Sequence, residues 1–137
     1  MSAPRGDAAH SLAPMRVAVV SPDRHYRAAM SLLLARRNCL VTVIANPAGL
    51  GETLAVQVCD VVVLDASAGG STASLAALQA LPRRLGVVVV SDGSAPLGEL
   101  LDGTLAKWGP FDELMAAIER ERSRVATPRA SEAHDRS

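Results

Sequence analysis

The chain has 137 residues, which is enough for one domain with a single buried core and short tails. Fourteen basic residues balance fourteen acidic ones, so a nucleic-acid-binding surface, which normally carries a basic excess, is not expected. No apolar run reaches the length of a transmembrane helix, and aromatic residues make up only 2% of a chain that is 49% hydrophobic, so the core must consist mainly of Val, Leu and Ala.

The two ends of the chain differ in composition from its middle. Residues 1–14 are small and polar, and residues 125–137 are poor in large apolar side chains. We predict disordered tails in both segments and one domain over residues 15–124. Because the first segment also lacks the apolar stretch of a signal peptide, we expect a cytoplasmic protein that has no contact with a membrane.

Short apolar segments and helical patterns alternate along the middle of the chain. The first helix is predicted to begin at Ser21 as its hydroxyl N-cap, with Pro22 at the first helical position, Asp23 in the first turn and an end near Arg37. Five apolar segments predict strands, at residues 17–20, 40–45, 61–64, 87–90 and 104–106. Their mostly Val-rich, non-alternating character predicts burial on both faces. Further helices are predicted at residues 47–58, 71–81 and 110–124.

This alternation predicts a three-layer α/β/α domain with a doubly wound, five-stranded parallel sheet, because right-handed crossovers place helices on both faces. The functional crevice of such a sheet lies at the carboxyl ends of its strands. Four polar residues end predicted strands or follow them directly, namely Ser21, Asp65, Ser91 and Lys107. A carboxylate and an ammonium brought to the same edge of a sheet are suited to accepting a phosphoryl group.

With these residues in these places, the chain resembles the receiver domain of bacterial two-component response regulators over about residues 15–124. The resemblance implies a flavodoxin-like fold with strand order 2-1-3-4-5 and no enzymatic turnover. It implies that Asp65 accepts phosphate from a histidine kinase, that Ser91 contacts the phosphoryl group and that Lys107 pairs with it. Arg27 matches an arginine that the family places in the first helix.

The chain departs from the family at the metal site. Receiver domains hold Mg²⁺ with two acidic residues directly after the first strand, where this chain has Ser21 and Pro22. The candidate metal ligands are therefore Asp65 and, one residue further along, Asp23, whose place in the helix suits the helix dipole better. We predict that no cofactor is required and that any magnesium site is weak.

Two further departures lie between the fourth and fifth strands. Asp92 follows Ser91 where the family prefers a small residue, and a second carboxylate there would repel an incoming phosphoryl group. The segment that leads to Lys107 is also short, so the fourth helix is predicted to be shortened, at residues 95–102.

The leading hypothesis is an atypical receiver domain that acts in signal transduction as a protein-interaction module, with a weakened or lost phosphorylation site. It would bind a partner protein or a second copy through the face formed by the predicted fourth helix, the fifth strand and the last helix. Leu105, Trp108 and Phe111 are the candidate anchors on that face, although Trp108 could instead fill the core.

Two alternatives stay open. One is a conventional receiver that a histidine kinase phosphorylates on Asp65 in a Mg²⁺-dependent phosphorelay, with Asp23 shifted into the metal role. The other is a small-molecule-binding flavodoxin-like domain that uses the crevice at the strand ends. The scarcity of aromatic residues disfavours the second alternative, because a flavin or nucleobase would have little to stack on.

Overall fold

The structure of the chain is a computed structural model that describes residues 14–46, 59–67, 76–78, 80, 85–93 and 103–126. The helices predicted at residues 47–58 and 95–102 lie outside the described residues, as does most of the helix predicted at residues 71–81. The two predicted tails also lie outside them, apart from Pro14 and the first two residues of the C-terminal tail.

Five strands form one sheet in which every neighbouring pair is parallel. The order across the sheet is β2-β1-β3-β4-β5, which confirms the predicted flavodoxin-like topology. The strands are β1 Met15–Val20, β2 Cys39–Ile44, β3 Val61–Asp65, β4 Gly86–Ser91 and β5 Leu105–Ala106.

Helices cover one face of this sheet. These are α1, Arg24–Arg36, and α2, Phe111–Ala126. Alternate strand residues point to this face and form a core with Tyr26, Met30 and Leu34 of α1. The α2 helix contributes Leu114, Met115, Ala117 and Ile118. The apolar stripes of both helices thus bury the Val-rich strands from one side, as their periodicity predicts.

A second core lies on the opposite face. The remaining strand residues, among them Ala18, Val62 and Leu64, pack there with Ile44 and with Leu78, which belongs to a helical turn at residues 76–78. The inner strands β1 and β3 are therefore buried on both faces, and this explains why they read as continuous apolar runs. On the edge strand β2, Leu40 and Val43 are exposed, so the prediction of burial on both faces was wrong there. Among the described helices, none combines the length and the apolar character that crossing a bilayer requires.

The pairing register brings the predicted site residues to one edge. Val20 pairs with Leu64, so Ser21 lies next to Asp65 across β1 and β3. Ser91 pairs with Ala106, and the amide of Lys107 donates to the carbonyl of Ser91 over 2.9 Å. All four polar residues therefore share the carboxyl edge of the sheet.

The start of α1 differs from the prediction. Asp23 is the N-cap, because its Oδ1 accepts hydrogen bonds from the amides of His25 and Tyr26 at 2.9 and 3.3 Å. The prediction that Ser21 caps the helix was wrong, since its hydroxyl bonds to Asp65 instead, over 2.6 Å. The helix therefore begins at Arg24, and Pro22 lies before it.

The end of α2 also differs. The helix runs to Ala126, which is two residues into the segment predicted as a disordered tail. Val125 is half-buried and lies seven residues after the fully buried Ile118. Two helical turns separate these residues, so Val125 continues the inward stripe and extends the helix.

Gly86, at the start of β4, allows α2 to approach the sheet closely. A Cβ atom on Gly86 would lie 2.7 Å from the Cβ of Glu121. The Oε1 atom of Glu121 accepts a hydrogen bond from the amide of Val87 over 3.2 Å. Strand β5 is short and pairs only with Val90 and Ser91, at the end of β4. The Glu121 carboxylate therefore accepts the hydrogen bond of an amide near the start of β4, which β5 does not reach.

We expect Gly86→Ala to destabilise the domain by about 1–3 kcal/mol, because the added methyl group must displace α2. Urea unfolding followed by circular dichroism measures the loss. Glu121→Gln is the matched control, because it keeps the Cβ atom and the acceptor oxygen, and its effect should stay below about 1 kcal/mol. A Gly86→Ala variant as stable as the parent chain would contradict the close approach.

Candidate functional site

The Asp65 carboxylate, at the end of β3, is fully engaged by hydrogen-bond donors. Its Oδ2 accepts from the Ser21 hydroxyl over 2.6 Å and lies 3.0 Å from the Lys107 ammonium nitrogen. Its Oδ1 accepts from both the amide and the hydroxyl of Ser67, over 2.9 and 2.5 Å. The side chain is 0% exposed, so these contacts replace the water that an exposed carboxylate would bind.

The Lys107 ammonium lies between two carboxylates. Its Nζ is 2.9 Å from Oδ2 of Asp23 and 3.0 Å from Oδ2 of Asp65, and its side chain is only 5% exposed. The ring of Tyr26 lies 5.3 Å from the same nitrogen. The single positive charge of Lys107 thus pairs with two carboxylates. These ion pairs connect the residue after β5 to the end of β3 and to the start of α1.

The pKa values at this edge follow from these contacts. Burial by itself would raise the pKa of Asp65, but the hydrogen bonds from Ser21, Ser67 and Lys107 outweigh it, so its pKa lies below the ordinary value. Burial by itself would lower the pKa of Lys107, but Asp23 and Asp65 outweigh it, and the pKa is raised. The hydrogen bond from Lys107 also lowers the pKa of Asp23. All three groups are therefore charged near neutral pH.

Ser21 organises the turn between β1 and α1. Its hydroxyl donates to Asp65 and accepts from the amide of Asp23 over 3.0 Å, while its carbonyl accepts from Nη1 of Arg27 over 2.9 Å. Ser21 is 0% exposed. The predicted counterpart of the family's arginine therefore holds the turn itself.

Ser91 ends β4 at the same edge, and it is buried. Its hydroxyl accepts a hydrogen bond from the amide of Gly93 over 3.0 Å. Within the described residues, Ser91 makes no hydrogen bond to Asp65. Asp92 follows as an exposed residue whose amide donates to the Ser67 hydroxyl over 3.1 Å. Ser67 is thus a site residue that the sequence analysis missed. The Asp65-x-Ser67 spacing could have indicated it, because an aspartate side chain often accepts a hydrogen bond from the amide two residues further along the chain.

The residues at this edge do not fit a Mg²⁺ ion. The ion requires near-octahedral oxygen ligands, of which one or two are carboxylates. Both oxygens of Asp65 accept protein donors, and both oxygens of Asp23 bind helix amides or Lys107. In the described parts of the chain, no group of three or more His, Cys, Asp or Glu side chains could hold a metal.

The three predicted anchor residues lie in different surroundings. Leu105 and Phe111 are partly buried against the core beneath α1 and α2. Trp108 is 58% exposed, and its ring meets that of Tyr26 edge-on, with the centroids 5.1 Å apart. Trp108 therefore lies against the first turn of α1, while its role in binding stays a prediction.

Tyr26 itself carries an unsatisfied polar group. The residue is 0% exposed, and among the described residues its hydroxyl has no hydrogen-bond partner. Burial, together with the nearby Asp65 carboxylate, raises the pKa of Tyr26 well above its ordinary value. The hydroxyl is therefore neutral, buried and unpaired, which is unfavourable for folding.

We expect Ser21→Ala to cost about 1.5–3 kcal/mol near neutral pH, because it removes a hydrogen bond to a buried charge. The lowered pKa of Asp65 means that the carboxylate stabilises the fold above the ordinary aspartate pKa and loses this effect as the pH falls through the folded-state pKa. The difference between Ser21→Ala and the parent chain should therefore shrink between about pH 7 and about pH 3.

Urea unfolding at the two pH values measures this difference. Ser91→Ala is the matched control, since its buried hydroxyl binds an amide rather than the carboxylate. It should cost about 1 kcal/mol at both pH values. An Ser21→Ala effect that does not depend on pH would contradict the hydrogen bond to ionised Asp65.

We expect Tyr26→Phe to stabilise the domain by about 1 kcal/mol, because the ring contacts remain and the unpaired hydroxyl is removed. Thermal unfolding should show a midpoint a few degrees higher. Tyr26→Leu is the comparison, since it removes the ring that packs against Trp108 and should destabilise. A loss of stability in Tyr26→Phe would mean that the hydroxyl is bonded.

Comparisons with known proteins agree in fold and not in sequence. No family model matches the chain, and neither does any curated protein sequence. Three solved structures represent the likeness. A CheY-like receiver domain from Methylobacillus flagellatus is 15% identical, with a TM-score of 0.66 over 80% of this chain and 99% of that one.

The receiver domain of a sensor histidine kinase from Pseudomonas aeruginosa, which has a magnesium ion coordinated in its active-site cleft, is 16% identical, with a TM-score of 0.68 over 81% of this chain and 99% of that one. The beryllofluoride-activated NtrC receiver domain is 24% identical, with a TM-score of 0.61 over 80% of this chain and 95% of that one. Together with the strand order, these matches show that the chain has the fold of the CheY-like response regulator receiver domains.

Proposed function

We propose that this chain is an atypical receiver domain that acts in signal transduction as a protein-interaction module and does not use Asp65 in Mg²⁺-dependent phosphotransfer. The observation that carries the proposal is the saturation of the Asp65 carboxylate by Ser21, Ser67 and Lys107. We also propose that the chain is not an enzyme and that it acts in the cytoplasm.

A phosphoryl acceptor needs an oxygen atom that can reach the incoming phosphorus. Both oxygens of Asp65 accept hydrogen bonds, and the side chain is 0% exposed. An attack would require that Asp65 first give up donors such as Ser21, which would leave polar groups unpaired in a buried site. This cost would add to the reaction barrier.

The charge at the site also disfavours phosphotransfer. Phosphoryl transfer depends on positive charge held around the transferred group. Here Lys107 is shared with Asp23, so two negative charges and one positive give the cluster a net charge of minus one. The exposed Asp92, at the end of β4, adds a further carboxylate near this edge.

The two ion pairs of Lys107 favour a single conformation of the surface at this edge of the sheet. The two ion pairs join the residue after β5 to β3 and to the start of α1. The Lys107–Asp65 pair is buried, and breaking such a pair by removing one partner costs about 3–5 kcal/mol. A domain held in this way would present the same face to its partner at all times. We infer a constitutive contact rather than one switched by phosphate.

We expect the parent chain to show no change in Trp108 fluorescence or in its amide NMR spectrum when millimolar Mg²⁺ and then beryllofluoride are added, because both oxygens of the buried Asp65 already accept two donors each and Asp23 is paired with Lys107. Ser21→Asp should gain a response, since it places a second carboxylate beside Asp65. At ten times its dissociation constant, Mg²⁺ should stabilise this variant by about 1.4 kcal/mol.

The double variant Ser21→Asp, Asp65→Asn is the control, and it should lose the response to Mg²⁺. The proposal would be wrong if the parent chain bound beryllofluoride or formed an aspartyl phosphate on Asp65 with a small phosphodonor and Mg²⁺. That result would favour the conventional receiver instead.

A further inference from the structure

The two edges of the sheet differ in how well they are protected from pairing with another chain. The β5 edge is only two residues long, and the buried Lys107 follows it directly. The β2 edge, Cys39–Ile44, has six residues, and all of them pair with β1 in one unbroken register. It contains no charged residue, no proline and no bulge, which are features that protect natural edge strands. The β2 edge therefore lacks the protection that the β5 edge has.

Backbone hydrogen-bonding groups point outward along the β2 edge. The Ile44 carbonyl accepts from the Ser21 amide over 3.0 Å, so Ile44 directs its backbone groups toward β1. Because successive residues of a strand direct these groups to opposite sides, Val41 and Val43 direct theirs away from β1. Within the described parts of the chain, no backbone group pairs with them. The amide and the carbonyl of both valines can therefore bond to an added strand.

Apolar side chains are exposed beside these backbone groups. Leu40 is 51% exposed and Val43 is 46% exposed, although both lie within a strand. They are three residues apart, so they lie on opposite faces of the sheet. A strand added to the β2 edge would cover both side chains and would remove apolar area from water on each face.

Positive charge lies next to the amino end of β2. Arg16 of β1 is exposed and pairs in register with Leu40, so both side chains lie on the same face of the sheet. Arg36 is exposed in the last turn of α1, three residues before β2 begins. Neither arginine forms an ion pair with a described residue. Both guanidinium groups can therefore pair with carboxylates of a bound partner.

The sequence around β2 offers these arginines no acidic partner. Between residues 14 and 46 the one acidic residue is Asp23, and Lys107 is already paired with it. The formal net charge of the whole chain is zero, so this basic segment is balanced by acidic residues elsewhere. The charge near the β2 edge thus complements a negatively charged partner.

We propose that the β2 edge binds an extended segment of a partner protein in which apolar and acidic residues alternate, and that this segment adds to the sheet as a further strand. Val41 and Val43 supply the backbone hydrogen bonds. On one face an apolar side chain of the segment covers Val43, and on the other face a carboxylate reaches Arg16 across Leu40. The proposal rests on the proposed function, because it names a partner of the interaction module. It places this partner at the opposite edge of the sheet from β5.

The charges favour an acidic segment over a second copy of the chain. Two copies joined through β2 in antiparallel fashion would form one continuous sheet, with both α1 helices side by side on the same face. The α1 helix, Arg24–Arg36, contains no acidic residue, and β2 contains no charge. Two such copies would therefore place like charges together.

Two blocked synthetic peptides test the proposal. One alternates valine with glutamate, and the other has lysine in place of each glutamate. We expect the glutamate peptide to shift the amide NMR signals of β2 in the full chain, and the lysine peptide to bind about ten-fold more weakly or less. In the complex, the amides of Val41 and Val43 should exchange with solvent about ten-fold more slowly, because they become hydrogen-bonded.

Variants of the exposed positions test the two contacts separately. Arg16→Gln should weaken binding of the glutamate peptide about five-fold or more, because it removes the facing charge. Arg24→Gln is the matched control, since Arg24 is an exposed arginine at the opposite end of α1 from Arg36, and it should leave the affinity unchanged. Val43→Glu should abolish binding, because it places a carboxylate against the acidic segment, and amide NMR spectra confirm that the variants fold.

The proposal would be overturned if the glutamate peptide did not bind, if its shifts lay away from β2, or if the lysine peptide bound equally well. Unchanged exchange of the Val41 and Val43 amides would also overturn it. Self-association of the parent chain that Val43→Glu abolishes would replace the acidic segment with a second copy.

These outcomes are separate from those of the Mg²⁺ experiment. A chain that forms an aspartyl phosphate on Asp65 and still binds the glutamate peptide would end the proposed function and keep the β2 site. A chain that is insensitive to Mg²⁺ and does not bind the peptide would do the reverse.

Discussion

The position of the Lys107 ammonium between Asp23 and Asp65 is the contact on which the rest of this edge depends. A buried ammonium is stable only if its partners replace the water that it has lost. Asp65 can act as a buried partner of Lys107 because Ser21 and Ser67 supply its other hydrogen bonds. Asp23 is held beside Lys107 because its carboxylate also caps α1. Each member of the cluster is thus stabilised by another, and the cluster fixes where β5 ends and where α1 begins.

This arrangement sets the chemistry of the site and the shape of the surface together. The donors that make a buried Asp65 stable are the same donors that occupy its oxygens, so stability and nucleophilic reactivity oppose each other at this position. Trp108 directly follows Lys107, and therefore the ion pairs also fix the place where the indole reaches the surface. The Tyr26 ring supports both residues, from 5.3 Å for the ammonium and 5.1 Å for the indole.

The large features of the fold could be predicted, because they depend on patterns within short segments. Apolar runs, four of them Val-rich, indicated the five strands, and the resemblance to receiver domains implied their order. The hydrogen bonds of the site could not be predicted in the same way. Ser21 was a good helix cap by its residue type, yet in the folded chain its hydroxyl turns to Asp65, which is 44 residues away, and Asp23 takes the cap. A local rule fails where a distant charge offers the stronger bond.

The sequence by itself determined the parallel sheet, the alternation of apolar and polar segments, and the four polar residues at the strand ends, since these follow from periodicity and from the geometry of parallel strands. Only the tertiary structure decided which of these residues meet. It joined Lys107 to Asp23 as well as to Asp65, brought Ser67 into the site and placed Trp108 against Tyr26. The physical reason is that hydrogen bonds and ring contacts depend on distances of a few ångströms between segments far apart in the chain, and the packing of the two cores sets those distances.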